Sequence, residues 1–173
     1  MSVILLADDS PHAQRMGERI LREEGYRVVC AADGESAALR LAEADPDVVI
    51  ADAYLPGLSG LDLCRHVKSN GRHARVILTV GLLEELDEAA AKGAGCDAVV
   101  RKPFEASVMI ETTARLAREA QLARKAPPGA ASQAEEVRAA VARAVAAEMP
   151  GIVARIVDEV TQKVLREIKY ARQ

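Results

Sequence analysis

The stretch Asp47-Val48-Val49-Ile50-Ala51-Asp52-Ala53-Tyr54-Leu55-Pro56-Gly57 decides how this chain folds. Three β-branched residues and an alanine run without interruption into an aspartate, and a Pro-Gly turn follows. A strand that short and that uniformly apolar needs cover on both faces, which is the condition of a parallel sheet flanked by helices. Working outward from residues 48–51, the same signature recurs at 3–7, 27–31, 76–80 and 98–100. Between these runs lie helix-period stretches at 11–24, 35–43, 60–69, 83–92 and 105–124. Turn signals separate them at Glu24-Gly25, Asp33-Gly34, Asp45-Pro46, Asn70-Gly71 and Gly93-Ala94-Gly95. Five βα units in succession predict an α/β fold, a five-stranded parallel sheet with helices on both faces. Such sheets bind ligands beyond the carboxyl ends of their strands, near the point where strand order reverses.

Composition narrows the function. The chain has 173 residues, a formal net charge of -3 and only four aromatic residues, none of them Trp. It lacks the stacking surface for unpaired bases and the positive field that draws nucleic acid or an anionic membrane. The cysteines Cys30, Cys64 and Cys96 are odd in number and widely spaced, and they read as buried thiols of a reducing cytoplasm. The apolar run at 3–7 stops at Asp8-Asp9. It is too short for a signal peptide, and no run reaches the ~20 residues of a membrane helix. The expectation is a cytoplasmic protein with no membrane insertion.

The chemistry falls on the strand ends. Asp8 and Asp9 end the first strand, Asp52 ends the third, and Lys102-Pro103 follows the fifth. In a parallel sheet these ends share one edge, so three carboxylates and an ammonium converge on a small cleft. Clustered acids repel unless a positive charge sits among them. A hard cation with oxygen ligands, Mg²⁺ above all, suits that set. It would let Asp52 act as a nucleophile toward phosphorus, with Lys102 balancing the incoming negative charge. Each Asp taken singly is also a common turn former or helix N-cap. Four such residues at four correct strand ends weigh against that reading.

Three stretches carry a family resemblance: Val3-Ile4-Leu5-Leu6-Ala7-Asp8-Asp9-Ser10, the run from Asp47 to Leu61, and Gly93-Ala94-Gly95-Cys96-Asp97-Ala98-Val99-Val100-Arg101-Lys102-Pro103-Phe104. With them, residues 1–124 resemble the receiver domain of two-component response regulators, a flavodoxin-like (βα)5 fold. The resemblance implies that Asp52 is the phosphoacceptor, and that Asp8, Asp9, Asp52 and the backbone carbonyl of Tyr54 hold Mg²⁺. It implies that Lys102 is the family's lysine, that Lys102–Pro103 is a cis peptide, and that the donor is a phosphohistidine on a histidine kinase or phosphotransfer protein. His12, His66 and His73 read as solvated polar positions. Counting back from Lys102 by family spacing places Val80 at the hydroxyl-bearing position. A shift of one residue selects Thr79 instead, on the opposite face of the strand, and Thr79 is carried as a candidate site residue. Val99 stands where many relatives have an aromatic residue, so the aromatic part of the family's relay cannot operate here. Tyr54 lies near the path of attacking water, or is a rim aromatic with its hydroxyl in solvent.

Residues 125–132 read as a Pro/Gly/Ala linker. Beyond it, Val137, Val141, Val145 and Met149, then Ile152, Ile156, Val160, Val164 and Ile168, form apolar stripes on two amphipathic helices over 133–173. From Pro127 onward there are seven Lys or Arg and six Asp or Glu, a net of +1. That is too short and too balanced for a DNA-binding domain, and it carries no zinc-ligand pairs or phosphate loop. Stripes of Val, Ile and Ala that small cannot fold unaided, so self-association through 133–173 is expected, with docking on the receiver as the competing outcome. The functional expectation is a phosphorylated response regulator, not an enzyme beyond transfer to and loss from its own aspartate. A non-phosphorylated scaffold assembled by its tail is the alternative.

Overall fold

The computed structural model describes residues 1–70 and 73–125. The elements alternate strictly: β1 (Val3–Ala7), α1 (Pro11–Glu23), β2 (Arg27–Ala31), α2 (Gly34–Ala44), β3 (Val48–Asp52), α3 (Gly60–Asn70), β4 (Arg75–Val80), α4 (Glu88–Gly93), β5 (Ala98–Arg101) and α5 (Ala106–Lys125). The five strands form one parallel sheet in the order β2-β1-β3-β4-β5. The chain is thus the flavodoxin-like α/β fold read from the sequence. Its strand order reverses between β1 and β3, where the acidic strand ends lie.

Local chemistry sets the boundaries. Ser10 caps α1, its Oγ accepting from the Ala13 N–H at 3.4 Å, and Pro11 opens the helix where a missing N–H costs nothing. Asp33 caps α2 through the Ser36 N–H at 2.7 Å. Asp45, in the left-handed region at φ 45°, ends α2 just before Pro46. Alternate strand residues then divide between two cores. Leu5, Ala7, Val49, Ala51, Val76 and Leu78 pack with Ala37 of α2, Leu63, Cys64 and Val67 of α3, and Ala91 of α4. Ile4, Leu6, Val48, Ile50, Ile77 and Val100 pack with Leu21 of α1 and with Met109, Leu116 and Ala117 of α5.

Several expectations shift. The helix expected at 83–92 starts only at Glu88, because Asp87 takes the cap and accepts from Ala89 and Ala90 N–H at 2.8 and 3.1 Å. Residues 81–87 are a loop, with Leu82 and Leu83 turned to solvent at 71% and 95% exposure. Of the cysteines only Cys64 is buried; Cys30 and Cys96 are intermediate. His73 is no simple solvated residue: its ring lies 3.2 Å from Asp45 and 2.9 Å from Arg124. Lys125, expected to open the linker, is the last residue of α5. The rest of the linker and the paired helices of 133–173 lie outside the described residues.

Candidate functional site

The apolar strands deliver three side chains to the carboxyl edge of the sheet. β1 pairs with β3 through Ala7↔Ala51, so the residues that follow, Asp8 and Asp52, emerge side by side. Lys102 follows β5, and its backbone N–H is pinned to the Val80 carbonyl at 2.7 Å. The ammonium of Lys102 then reaches back to both acids, with Nζ 2.7 Å from Asp8 Oδ2 and 2.6 Å from Asp52 Oδ2. Both aspartates are buried. The other oxygen of each accepts a backbone N–H two residues on, Ser10 for Asp8 at 2.9 Å and Tyr54 for Asp52 at 2.8 Å. Burial by itself would lower the Lys102 pKa. Hydrogen bonds to Asp52 and Asp8, with their charges, outweigh that and hold it above its ordinary value.

Close packing keeps this edge in place. A side chain at Gly60 would bring a Cβ to 2.1 Å from the Asp52 carbonyl oxygen, and one at Gly34 to 1.8 Å from that of Leu58. Both glycines are therefore required by the turn from β3 into α3. Gln14 supports the other side, its amide donating to the carbonyls of Asp8 at 2.5 Å and Ala31 at 3.1 Å. Sequence reading passed over Gln14, and no local signal marks it, since its partners are backbone carbonyls, one just past β1 and one at the end of β2.

The remaining candidates divide. Asp9 stands exposed on the rim beside Asp8. Thr79 pairs in register with Asp52 and is buried, which places it on the same face of the sheet as Asp52. Its hydroxyl, however, is directed to the Ala51 carbonyl at 3.5 Å. Val80, one residue on, faces the other way and is fully buried. Tyr54 is half exposed, and its hydroxyl, read as free in one expectation, donates to the backbone carbonyl of Glu85. The Lys102–Pro103 peptide is cis.

Among the described residues no three Asp, Glu, His or Cys side chains gather tightly enough to hold a metal ion alone. What gathers is two carboxylates around one ammonium, with a third carboxylate on the rim. Hard carboxylate oxygens in that number fit Mg²⁺, which binds through one or two carboxylates while keeping water and phosphate oxygens in its shell.

The family model for the response regulator receiver domain matches residues 4–114. The chain belongs to that family. A receiver domain of this kind takes its phosphoryl group on an aspartate, as part of two-component signalling. Solved receivers agree in fold. A response regulator receiver domain protein from Clostridium thermocellum is 26% identical, with a TM-score of 0.66 over 70% of this chain and 98% of its own. The chemotaxis protein CheY4 of Vibrio cholerae is 28% identical, with a TM-score of 0.61 over 67% and 98%. The receiver domain of a signal transduction histidine kinase from Syntrophus aciditrophicus is 28% identical, with a TM-score of 0.64 over 74% and 96%. Among the described residues of this receiver no helix is long and apolar enough to cross a membrane.

Proposed function

We propose that Asp52 is the phosphoacceptor of a response regulator. Its donor is a phosphohistidine on a histidine kinase or phosphotransfer protein. The observation that supports this most is the division of labour at Asp52: Oδ1 rests on the Tyr54 N–H, while Oδ2 shares the Lys102 ammonium with Asp8. A carboxylate oxygen of Asp52 forms the new bond to phosphorus as the phosphorus–nitrogen bond of the donor breaks, and the imidazole leaves with that electron pair. Lys102, partly desolvated and aimed at the acceptor, meets the negative charge that arrives with the phosphoryl oxygens. Asp8 and Asp52, with Asp9 and the Tyr54 carbonyl beside them, would hold Mg²⁺, which supplies charge neutralisation at the transferring group. Thr79 enters this reading as a neighbour in register rather than as a direct partner of the acceptor. The protein acts in the cytoplasm without nucleic acid. It is no enzyme beyond gain and loss of its own phosphoryl group.

The test is intact mass after incubation with acetyl phosphate and Mg²⁺. The wild-type chain should gain one hydroxylamine-sensitive phosphoryl group, and Asp52→Asn should gain none while keeping its fold. Modification of the Asp52→Asn variant would displace the acceptor, and no gain in folded wild-type protein would favour the scaffold reading. Residues 133–173 are proposed to mediate self-association, on the strength of their Val/Ile stripes. A chain ending after Lys125 should then scatter light as a monomer while the full chain does not; equal masses per particle would remove that role.

A further inference from the structure

Tyr54 touches two parts of the molecule at once. Its backbone N–H holds Asp52 Oδ1 at 2.8 Å, and its hydroxyl donates to the Glu85 carbonyl in the β4–α4 loop. Among the described residues that loop has a few other anchors. The Gly81 N–H donates to Glu84 Oε2 at 2.5 Å, Leu86 packs against the core, and Asp87 caps α4. Leu82 and Leu83 stay outside, the most exposed leucines of the β4–α4 edge. No hydroxyl at the end of β4 reaches toward the acceptor from this side: Val80 has none, and that of Thr79 goes to the Ala51 carbonyl. Among the described residues the Tyr54 bond is therefore the direct polar link between the acceptor turn and the loop.

We infer that Tyr54 is a positioning residue that couples the state of Asp52 to the β4–α4 loop and its two exposed leucines. The inference rests on Asp52 being the phosphoacceptor. Phosphorylation turns one carboxylate oxygen of Asp52 into an acyl phosphate oxygen and places phosphoryl charge beside the other. The Tyr54 N–H then faces a different acceptor, and its backbone must readjust. A tyrosine ring has few rotatable bonds and passes such a movement to its hydroxyl with little loss. Glu85, and with it the run from Leu82 to Leu86, follows.

Tyr54→Phe isolates the link, because it keeps the ring and the backbone N–H and deletes only the hydroxyl. The readout is amide hydrogen exchange across residues 82–86 in the full chain, before and after treatment with acetyl phosphate and Mg²⁺, with intact mass followed in parallel. Before treatment, exchange in the variant should be about 3- to 10-fold faster than in wild type, the range expected for one lost hydrogen bond. After treatment, wild-type exchange in the loop should change by a similar factor, and the variant should show less than half of that change. Equal exchange in the two untreated proteins would overturn the link. So would a full mass gain in both with identical loop responses, and in that case the acceptor assignment would stand while the coupling fell. No mass gain in wild type would remove the acceptor and the coupling together.

Discussion

Both edges of the sheet hold aspartates that are buried or, at Asp97, partly buried, and they use them differently. At the amino edge Asp47 Oδ2 accepts the Val3 N–H at 3.0 Å, tying the approach to β3 onto the start of β1. Asp97 Oδ2 accepts the Val76 N–H at 2.7 Å and the Lys68 ammonium at 2.5 Å, tying the approach to β5 onto β4 and α3. These carboxylates staple distant segments, and their charge is spent on the fold. At the carboxyl edge Asp8 and Asp52 spend one oxygen each on a local turn, with the N–H two residues on. Among the described residues their other oxygens meet at the Lys102 ammonium. That ammonium stands at the end of a flexible stem and can shift without unpairing a strand. Burial of a charged residue therefore does not mark function by itself. The distinction lies in whether its partners can be exchanged while the backbone stays as it is.

The largest effect that bears on this contrast comes from Lys102→Met. Removing a preorganised donor from a buried charge site costs about 10²- to 10³-fold in rate, so mass gain from acetyl phosphate should slow by at least about 100-fold. The variant also leaves Asp8 and Asp52 facing each other without a counter-charge, and such acids repel. Mg²⁺ should consequently raise the melting temperature of the variant by more than it raises that of wild type. An equal rise in both would mean that the ammonium does not carry the charge balance at this edge, and the contrast with the amino edge would fail.

Much of the contrast was legible in the sequence, and the rest was hidden for physical reasons. The strands could be read because strands covered on both faces are apolar throughout, and Asp8, Asp52 and Lys102 because topology alone brings their ends together. Register between strands is a different matter. Thr79 and Val80 are both buried, and only the pairing of Thr79 with Asp52 places the hydroxyl on the Asp52 face, where it turns to Ala51. The late start of α4 was missed because Leu83, Glu84 and Glu85 continue a helical period, while the Asp87 cap and the Gly81–Glu84 turn compete locally for the same backbone groups. Gln14 and the Glu85 carbonyl were invisible for a simpler reason: each belongs to a bond between a side chain and a backbone carbonyl, Gln14 to Asp8 and Ala31 and Tyr54 to Glu85, that only the folded chain brings together. The amino-edge staples were missed likewise, for Asp47 and Asp97 look in sequence like any acid before a strand.

Asp97→Ala tests the other side of the contrast with a smaller effect. The substitution leaves the Val76 N–H unpaired and strips Lys68 of its carboxylate, keeping for that ammonium, among the described residues, the Ala74 carbonyl at 3.1 Å. Breaking one partner of a buried pair costs about 3–5 kcal/mol. The Asp97 side chain is 21% exposed, so water takes up part of the loss and about 2–3 kcal/mol is expected. Urea unfolding should show it as a lower midpoint with an unchanged slope. Phosphoryl gain per folded molecule should match wild type, since Asp97 shares no partner with Asp8, Asp52 or Lys102. A variant that stays as stable as wild type would show the amino-edge acids to be ordinary surface charges. One that folds well yet accepts phosphate poorly would show that the two edges are coupled through β4, because Val76 and Thr79 belong to the same strand.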